Sequence, residues 1–418
     1  MMLRWRSRGL SDARFGEWQA ASFGDQLQLV MSGPLGSKGL SPASRELLTV
    51  GLAVLSIERS LPGYLGTNRR VAFDVKLGLE DPDRWTREAV DALMEILRFQ
   101  GDATWRWSFE KVRQMASVDA DATTTEGRTI DQVVLFSGGL DSTSGVATLR
   151  SKAARIQLVS HYSKQKSAQL AIADALGYKR PTQARVVRRD LEGRGRTFLY
   201  RSFYFLCFGA AVASSYDVRN IIQFENGVLA TAMPPSPTYF MTRHAHPTIH
   251  RHAEVVFSQL LGGRWRIDNP FLGMTKRECV DAMRRAVGPK LSAELTRLTE
   301  TCWYTNSYQL RANRKKQNGM PCGVCIPCII RRTAVRTAEG YYDLNQPEVR
   351  SDTVLAREFD AYAQFVAWIW KNRKRPNRIL LEMPTYVREL AEGTRPSLTR
   401  DQLAGLLERF AREFRIAF

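Results

Sequence analysis

Residues 137–143 read Ser137-Gly138-Gly139-Leu140-Asp141-Ser142-Thr143 and follow the apolar run 133–136. Two glycines let a backbone turn so that several N–H groups converge on one anion, and a helix starting there adds its dipole. Ser137, Ser142 and Thr143 bring hydroxyl donors. The Lys of the common Gly-Lys-Ser/Thr phosphate loop is absent. A loop of donors without that Lys suits a pyrophosphate that leaves as a unit. Asp141 beside such a site either caps the helix or meets Mg²⁺. A second stretch carries Cys302 and then Cys322-x-x-Cys325-x-x-Cys328. Four thiolates at this spacing suit tetrahedral Zn²⁺, with Gly323 and Pro327 helping the chain wrap around an ion. A closed ligand set points to structure rather than catalysis, and an iron–sulfur cluster is the rival occupant. The other two cysteines, Cys207 and Cys279, fall in helical stretches and are not poised as nucleophiles.

These residues need elements to hold them. From Gln132 onward, short apolar runs alternate with helical patterns, which predicts an α/β fold with a parallel sheet flanked by helices. Ser137-Gly138-Gly139 and Glu225-Asn226-Gly227 both end predicted strands, so they are expected on the carboxyl rim, where such sheets bind ligands. Residues 1–125 read as a separate α+β domain. The strand pattern is at Val71, Phe73, Val75 and Leu77, the helix face at Trp85, Ala89, Leu93 and Leu97, and a further strand at Trp105, Trp107 and Phe109. The polar stretch "ASVDADATTTEGRT" reads as a linker. Residues 341–418 read as a helical extension, with Thr399 and Gln402 placed for a capping box and Leu398 and Leu403 for a hydrophobic staple.

Ser-Gly-Gly-x-Asp-Ser after an apolar strand resembles the PP-loop of the N-type ATP pyrophosphatases, the adenine nucleotide α-hydrolase-like fold. Together with the late Cys-Gly-x-Cys-x-x-Cys it resembles the 7-cyano-7-deazaguanine synthase (QueC) family. The likeness runs in order over about residues 132–340. "YRSFYFLCFGAAVA" aligns Arg201 with the family Arg, and "FENG" lies where the family has Gly-x-Asn. "DNPFLGMTKRECV" aligns Thr275, Lys276 and Glu278 with Thr-Lys-x-Glu, and "ETCWYTN" and "CGVCIPCIIR" match the cysteine segments. His161, Ser163 and Ser202 depart from the family's Asp, Gly and Asn. With the added segments at both ends, the chain looks most like the QatC-type branch of bacterial anti-phage operons. The resemblance implies ATP and Mg²⁺ at the loop and structural zinc at the cysteines. It also implies an adenylated 7-deazaguanine-type substrate and a protein partner from the same operon. Lys276 would steady phosphate charge; read without the resemblance, it is an exposed lysine at a helix start.

Four of the five histidines lie in "RHAHPTIHRH". They could form a second metal site, but no carboxylate or Cys lies among them, and lining the mouth of a substrate pocket is the favoured reading. His246-Pro247 resembles a pair in the defence branch, and a neutral imidazole there could take a proton from an attacking amine. The formal net charge of +19 favours polyanionic partners, nucleic acid included, although a solvated Arg-rich surface gives the same number. The basic clusters 185–196, 312–317 and 371–378 lack interleaved aromatics. No run is apolar enough to span a bilayer, and the start lacks a secretory core, so a cytoplasmic protein is expected. Four functions follow: the defence-type adenylating enzyme, the plain nitrile-forming synthase of queuosine biosynthesis, an RNA-modifying relative, and a nucleotide-sensing scaffold.

Overall fold

The computed structural model describes residues 2–8, 13–19, 27–60, 70–101, 103–113, 118–121, 129–161, 166–188, 199–236, 239, 241–302, 321–337, 339–353, 355–393 and 395–418. In chain order the strands are β1 (Met2–Arg8), β2 (Ala13–Gln19), β3 (Leu27–Ser32), β4 (Arg70–Leu79), β5 (Thr104–Lys111), β6 (Val118–Asp121), β7 (Gln132–Leu135), β8 (Ile156–His161), β9 (Thr182–Arg188), β10 (Asn220–Gln223) and β11 (Arg266–Asp268). The helices are α1 (Pro42–Ser60), α2 (Arg87–Gly101), α3 (Leu140–Arg150), α4 (Lys166–Ala175), α5 (Arg201–Ser215), α6 (Gly227–Ala230), α7 (Pro247–Leu261) and α8 (Lys276–Val287). They continue as α9 (Pro289–Leu298), α10 (Ile326–Val335), α11 (Pro347–Ser351), α12 (Arg357–Asn372), α13 (Pro376–Leu381), α14 (Thr385–Glu392) and α15 (Arg400–Ala417). Two compact units interleave along the chain. One takes Met1–Ser137, Ala154–Gln223 and Thr242–Asn269, and the other Gly138–Ala153, Phe224–Met241 and Pro270–Phe418. The consecutive segments 1–125, 132–340 and 341–418 expected from sequence are therefore not the compact units.

The first unit is α/β. Its larger sheet has the order β11-β10-β7-β8-β9-β3-β6 among the described residues. β11, β10, β7, β8 and β9 pair in parallel, as the alternation of strands and helices predicts. Val133, Val134, Leu135, Ile156, Leu158 and Val159 are all buried, the continuous burial of strands with both faces covered. Two strands were not expected here. β3 pairs antiparallel with β9 and parallel with β6, so the front of the chain extends this sheet rather than standing apart. β6 also lies inside the stretch expected as a linker, of which 122–128 are outside the described residues.

A smaller sheet in this unit has the order β2-β1-β4-β5. β4 keeps the expected alternation, burying Phe73, Val75, Leu77 and Leu79. On β5 the ring of Trp105 lies 4.3 Å from that of Phe73, both in the core, and half-buried Trp107 stacks on Trp105 at 5.9 Å. α2 buries Ala89, Leu93, Ile96 and Leu97 on one face. α1 is buried without a break from Glu46 to Glu58, and such a helix has no polar face to announce it.

The second unit is helical among its described residues. α12 turns Phe359, Tyr362, Val366 and Ile369 inward at spacings of three and four. α15 opens with the expected capping box between Thr399 and Gln402. Leu398 and Leu403 are both buried in the core that follows, together with Phe410 and Phe414. Cys322, Cys325 and Cys328 belong to that same core. The segment read as an extension thus shares its interior with the cysteine site. Among the described residues no helix is long and apolar enough to cross a membrane.

Candidate functional site

β7 and β10 end in register, Leu135 opposite Gln223, so the strands leading to both motifs stop at one level of the sheet. Beyond β7, the Ser137 carbonyl accepts a hydrogen bond from Gln169 Nε2 at 3.1 Å. Gly138 then takes φ +78°, a left-handed conformation that a side chain would strain. Gly139 is the N-cap of α3, and no side chain caps that helix. Leu140 anchors the turn in the interior. Ser142 Oγ donates to the Gly139 carbonyl at 3.0 Å. Thr143 Oγ1 is buried with no hydrogen-bond partner among the described residues. An eleven-residue helix whose N-cap residue is a glycine, with no side chain to cap it, places its amide donors and dipole where an anion can use them.

Asp141, offered by the sequence as a cap or a magnesium ligand, turns to two other helix starts. Its Oδ2 accepts from Lys276 Nζ at 2.7 Å and from Asn226 Nδ2 at 2.9 Å. Asn226 Nδ2 also donates to Glu225 Oε1 at 3.1 Å, and Asn226 Oδ1 caps α6 by accepting from Leu229 N. Lys276 is the first residue of α8. Three helix amino ends thus meet at one carboxylate. The Lys276 and Asp141 side chains are 4% and 7% exposed. The reading of Lys276 as an exposed lysine is corrected: its amine spans to Asp141 and is out of water. Burial pushes the Asp141 carboxyl up. The Lys276 charge and side-chain hydrogen bonds with Glu225, Lys276 and Asn226 outweigh that and hold it below its ordinary value.

The sequence around Lys276 explains its placement. Thr275 and Glu278 form a reciprocal capping box: Thr275 Oγ1 accepts from Glu278 N at 3.2 Å, and Glu278 Oε2 accepts from Thr275 N at 2.8 Å. α8 buries Lys276, Cys279 and Met283, one stripe at steps of three and four. Burial raises the thiol pKa of Cys279, and burial does the same at Cys207 in α5. Both environments disfavour the thiolate form that a cysteine nucleophile uses. Asn226 was quoted within "FENG" but given no role. An Asn followed by Gly at a strand end was the available signal for a cap.

At the cysteine site, Cys322 Sγ lies 3.9 Å from Cys328 Sγ, and Cys325 Sγ 4.0 Å from Cys302 Sγ. All four sulfurs fall within 4.8 Å of one another. Bonds of ~2.3 Å to a tetrahedral ion place sulfurs ~3.8 Å apart, so the donor set fits one ion such as Zn²⁺. A disulfide would need ~2.05 Å, and the cysteines are free. Backbone amides of Cys322 and Cys325 point at Cys302 Sγ and Cys322 Sγ. Cys325 is the N-cap of α10, whose dipole favours thiolate charge. Gly323 has φ +85°, and a Cβ there would lie 2.0 Å from the Tyr342 carbonyl oxygen.

Arg201 and His246 belong to the other compact unit. Arg201 is exposed at the start of α5, with Glu58 as its acidic neighbour. His246 was expected at a pocket mouth. It is fully buried, its Nδ1 accepts from Thr248 N at 3.2 Å as the cap of α7, and its ring lies 4.8 Å from that of Phe99. His250 is buried with Nε2 2.9 Å from Gln223 Oε1, and burial takes its pKa down to about 3. Among the described residues the four cysteines are the one group of three or more metal-ligand side chains that converges. Ser163, the cluster 312–317 and residues 189–196 lie outside the described residues. No protein-family model matches the chain, and no curated protein matches its sequence.

Proposed function

We propose that the chain is an ATP-dependent adenylating enzyme of the QueC-like PP-loop type. Residues 138–143 would cradle the departing pyrophosphate. A carboxyl or amide oxygen of a 7-deazaguanine-type substrate attacks the α-phosphorus, the bond from that phosphorus to the bridging oxygen breaks, and pyrophosphate leaves. A nucleophile then displaces AMP from the adenylated carbon, forming a C–N bond. Lys276 offsets charge as it develops on the phosphates. Mg²⁺ would be held by Asp141 together with the phosphates, and the four cysteines would hold structural zinc. By its likeness to the branch from anti-phage operons, the enzyme serves defence and works with a protein from the same operon.

The observation that carries this reading is the buried Lys276–Asp141 pair at the glycine-led start of α3. Lys276 and Asp141 are 135 residues apart in the chain. Charged side chains are almost never buried unless paired, and buried, perturbed pairs cluster at functional sites. Incubating purified protein with ATP and 7-carboxy-7-deazaguanine or a co-expressed partner protein tests it. AMP and pyrophosphate should accumulate together. ADP and phosphate without AMP would remove the mechanism.

A further inference from the structure

We propose that α15, the last helix of the chain, is a clamp that holds Lys276 in place opposite Asp141, with Arg409 and Glu413 as its positioning residues. Arg409 and Glu413 are four apart and so lie on one stripe of α15. Both side chains reach the start of α8. Arg409 Nε forms an ion pair with Glu278 Oε1 at 2.8 Å, and its Nη2 donates to the Gly273 carbonyl at 2.8 Å. Glu413 Oε1 accepts from Thr275 Oγ1 at 2.8 Å. The capping box ahead of Lys276 is therefore gripped through both of its side chains.

The polarity of these bonds matters. A threonine hydroxyl has one hydrogen and two lone pairs. Glu413 takes the hydrogen, which leaves a lone pair of Thr275 Oγ1 aimed at the Glu278 amide, as the cap requires. Arg409 occupies the Glu278 oxygen that the cap does not use. The first turn of α8 is fixed from outside, and Lys276 is the residue that this turn carries. α15 also lies under α6: Leu406 Cδ2 would be 2.6 Å from a Cβ on Gly227, the residue after Asn226. One helix thus braces both donors to Asp141.

Glu413 is a half-buried carboxyl whose Oε2 has no hydrogen-bond partner among the described residues. Burial raises its pKa to about 7; Glu278 adds to the rise, and the Thr275 hydroxyl, Arg277 and Arg409 oppose it. A helix serving only the core had no need to place this group there, because Leu403, Leu407, Phe410 and Phe414 already fill the interior.

The catalytic consequence rests on the proposed adenylation, but the clamp itself can be read without it. In the full-length protein, acylation of Lys276 by an amine reagent is followed by peptide mass spectrometry, with exposed Lys290 and Lys374 as internal standards. Arg409→Gln and Glu413→Ala should each speed acylation of Lys276 about ten-fold, the effect of losing one charge-assisted bond, and leave the standards unchanged. AMP formation by these variants should lose kcat more than it gains in KM for ATP. Glu413→Gln keeps an acceptor for Thr275, so it should restore protection of Lys276 while flattening the pH profile of kcat near neutrality. Metal content and the melting curve certify folding. If Arg409→Gln fails to fold, Arg409→Lys takes its place with the same expectation in weaker form. Unchanged Lys276 protection in folded variants would overturn the clamp. Absence of AMP formation by the wild type would instead overturn the adenylation and leave the labelling result to decide the clamp.

Discussion

Lys276→Met removes the amine and keeps most of the apolar stem. Asp141 is then left in a site where its side chain is 7% exposed, with the hydrogen bonds to Asn226 and Glu225 as its remaining side-chain contacts. Breaking one side of a buried pair costs ~3–5 kcal/mol, whereas an exposed pair is worth ~0–1 kcal/mol. The low exposure of both partners puts this pair in the first class. For a unit of this size the loss corresponds to a melting point lower by ~6–20 °C. Asp141→Asn should cost a similar amount by stranding the ammonium. The double variant buries no charge and should cost far less than the sum of the singles, a coupling of several kcal/mol. The pH dependence should change sign as well. In the wild type the Asp141 carboxyl lies below its ordinary value, so its stabilisation is present above the unfolded pKa and lost as pH falls through the folded one. Without Lys276, burial dominates and lifts that pKa, so the variant should lose stability as pH rises above ~4 and regain it in acid. Thermal melts of the four proteins across pH decide the matter. Additive single-variant effects, or a Lys276→Met cost below ~1 kcal/mol, would refute the buried pair.

Purified protein should carry one zinc per chain by elemental analysis. Cys325→Ser should lose it and unfold the second unit in circular dichroism, because three of the four ligands sit in that unit's core. His250 has a folded pKa of about 3, well below its unfolded value, so its contribution to stability is complete above ~6.5 and disappears as pH falls towards 3. Melts of His250→Gln should therefore show a shallower acid dependence than the wild type between those limits. Cys207→Ala should keep full AMP formation, since that thiol is buried in α5 with a raised pKa; lost turnover at retained stability would restore it as a nucleophile.

The motifs were legible because each is local. Gly138 needs φ +78° within one turn, and Cys322, Cys325 and Cys328 are spaced by the wrapping of one short segment. The parallel strands β7 to β10 announced themselves as apolar runs, since both of their faces are covered. β3 and β6 did not. β6 ends the sheet and β3 lies beside it, both brought there by pairing far along the chain, and β6 has just four residues of polar sequence. α1 escaped because burial from Glu46 to Glu58 erases the amphipathic period. The burial of Lys276 was invisible for a different reason. Thr-Lys-x-Glu describes a helix start equally well in water or in the interior, and the deciding partner, Asp141, lies 135 residues away. His246 misled in the opposite direction: a histidine before proline reads as chemistry, and in the fold it caps α7.

Under the proposed function, the charges at Asp141 also bear on the form in which ATP would be bound. The amino ends of α3 and α8 together supply about one positive charge and Lys276 another, with Asp141 removing one. A triphosphate brings more negative charge than remains, and its phosphates at α3 would stand beside a carboxylate. Asp141 Oδ1 is buried with no hydrogen-bond partner among the described residues. Asp141 would hold a divalent cation such as Mg²⁺ there, which would supply the positive charge that offsets this repulsion. ATP should therefore bind tightly with Mg²⁺ and at least about ten-fold more weakly in EDTA, while Asp141→Asn should bind with little difference between the two. Titration calorimetry with a non-hydrolysable ATP analogue measures both. Equal wild-type affinity with and without the cation would mean that Asp141 serves to hold Lys276 and takes no part in metal binding.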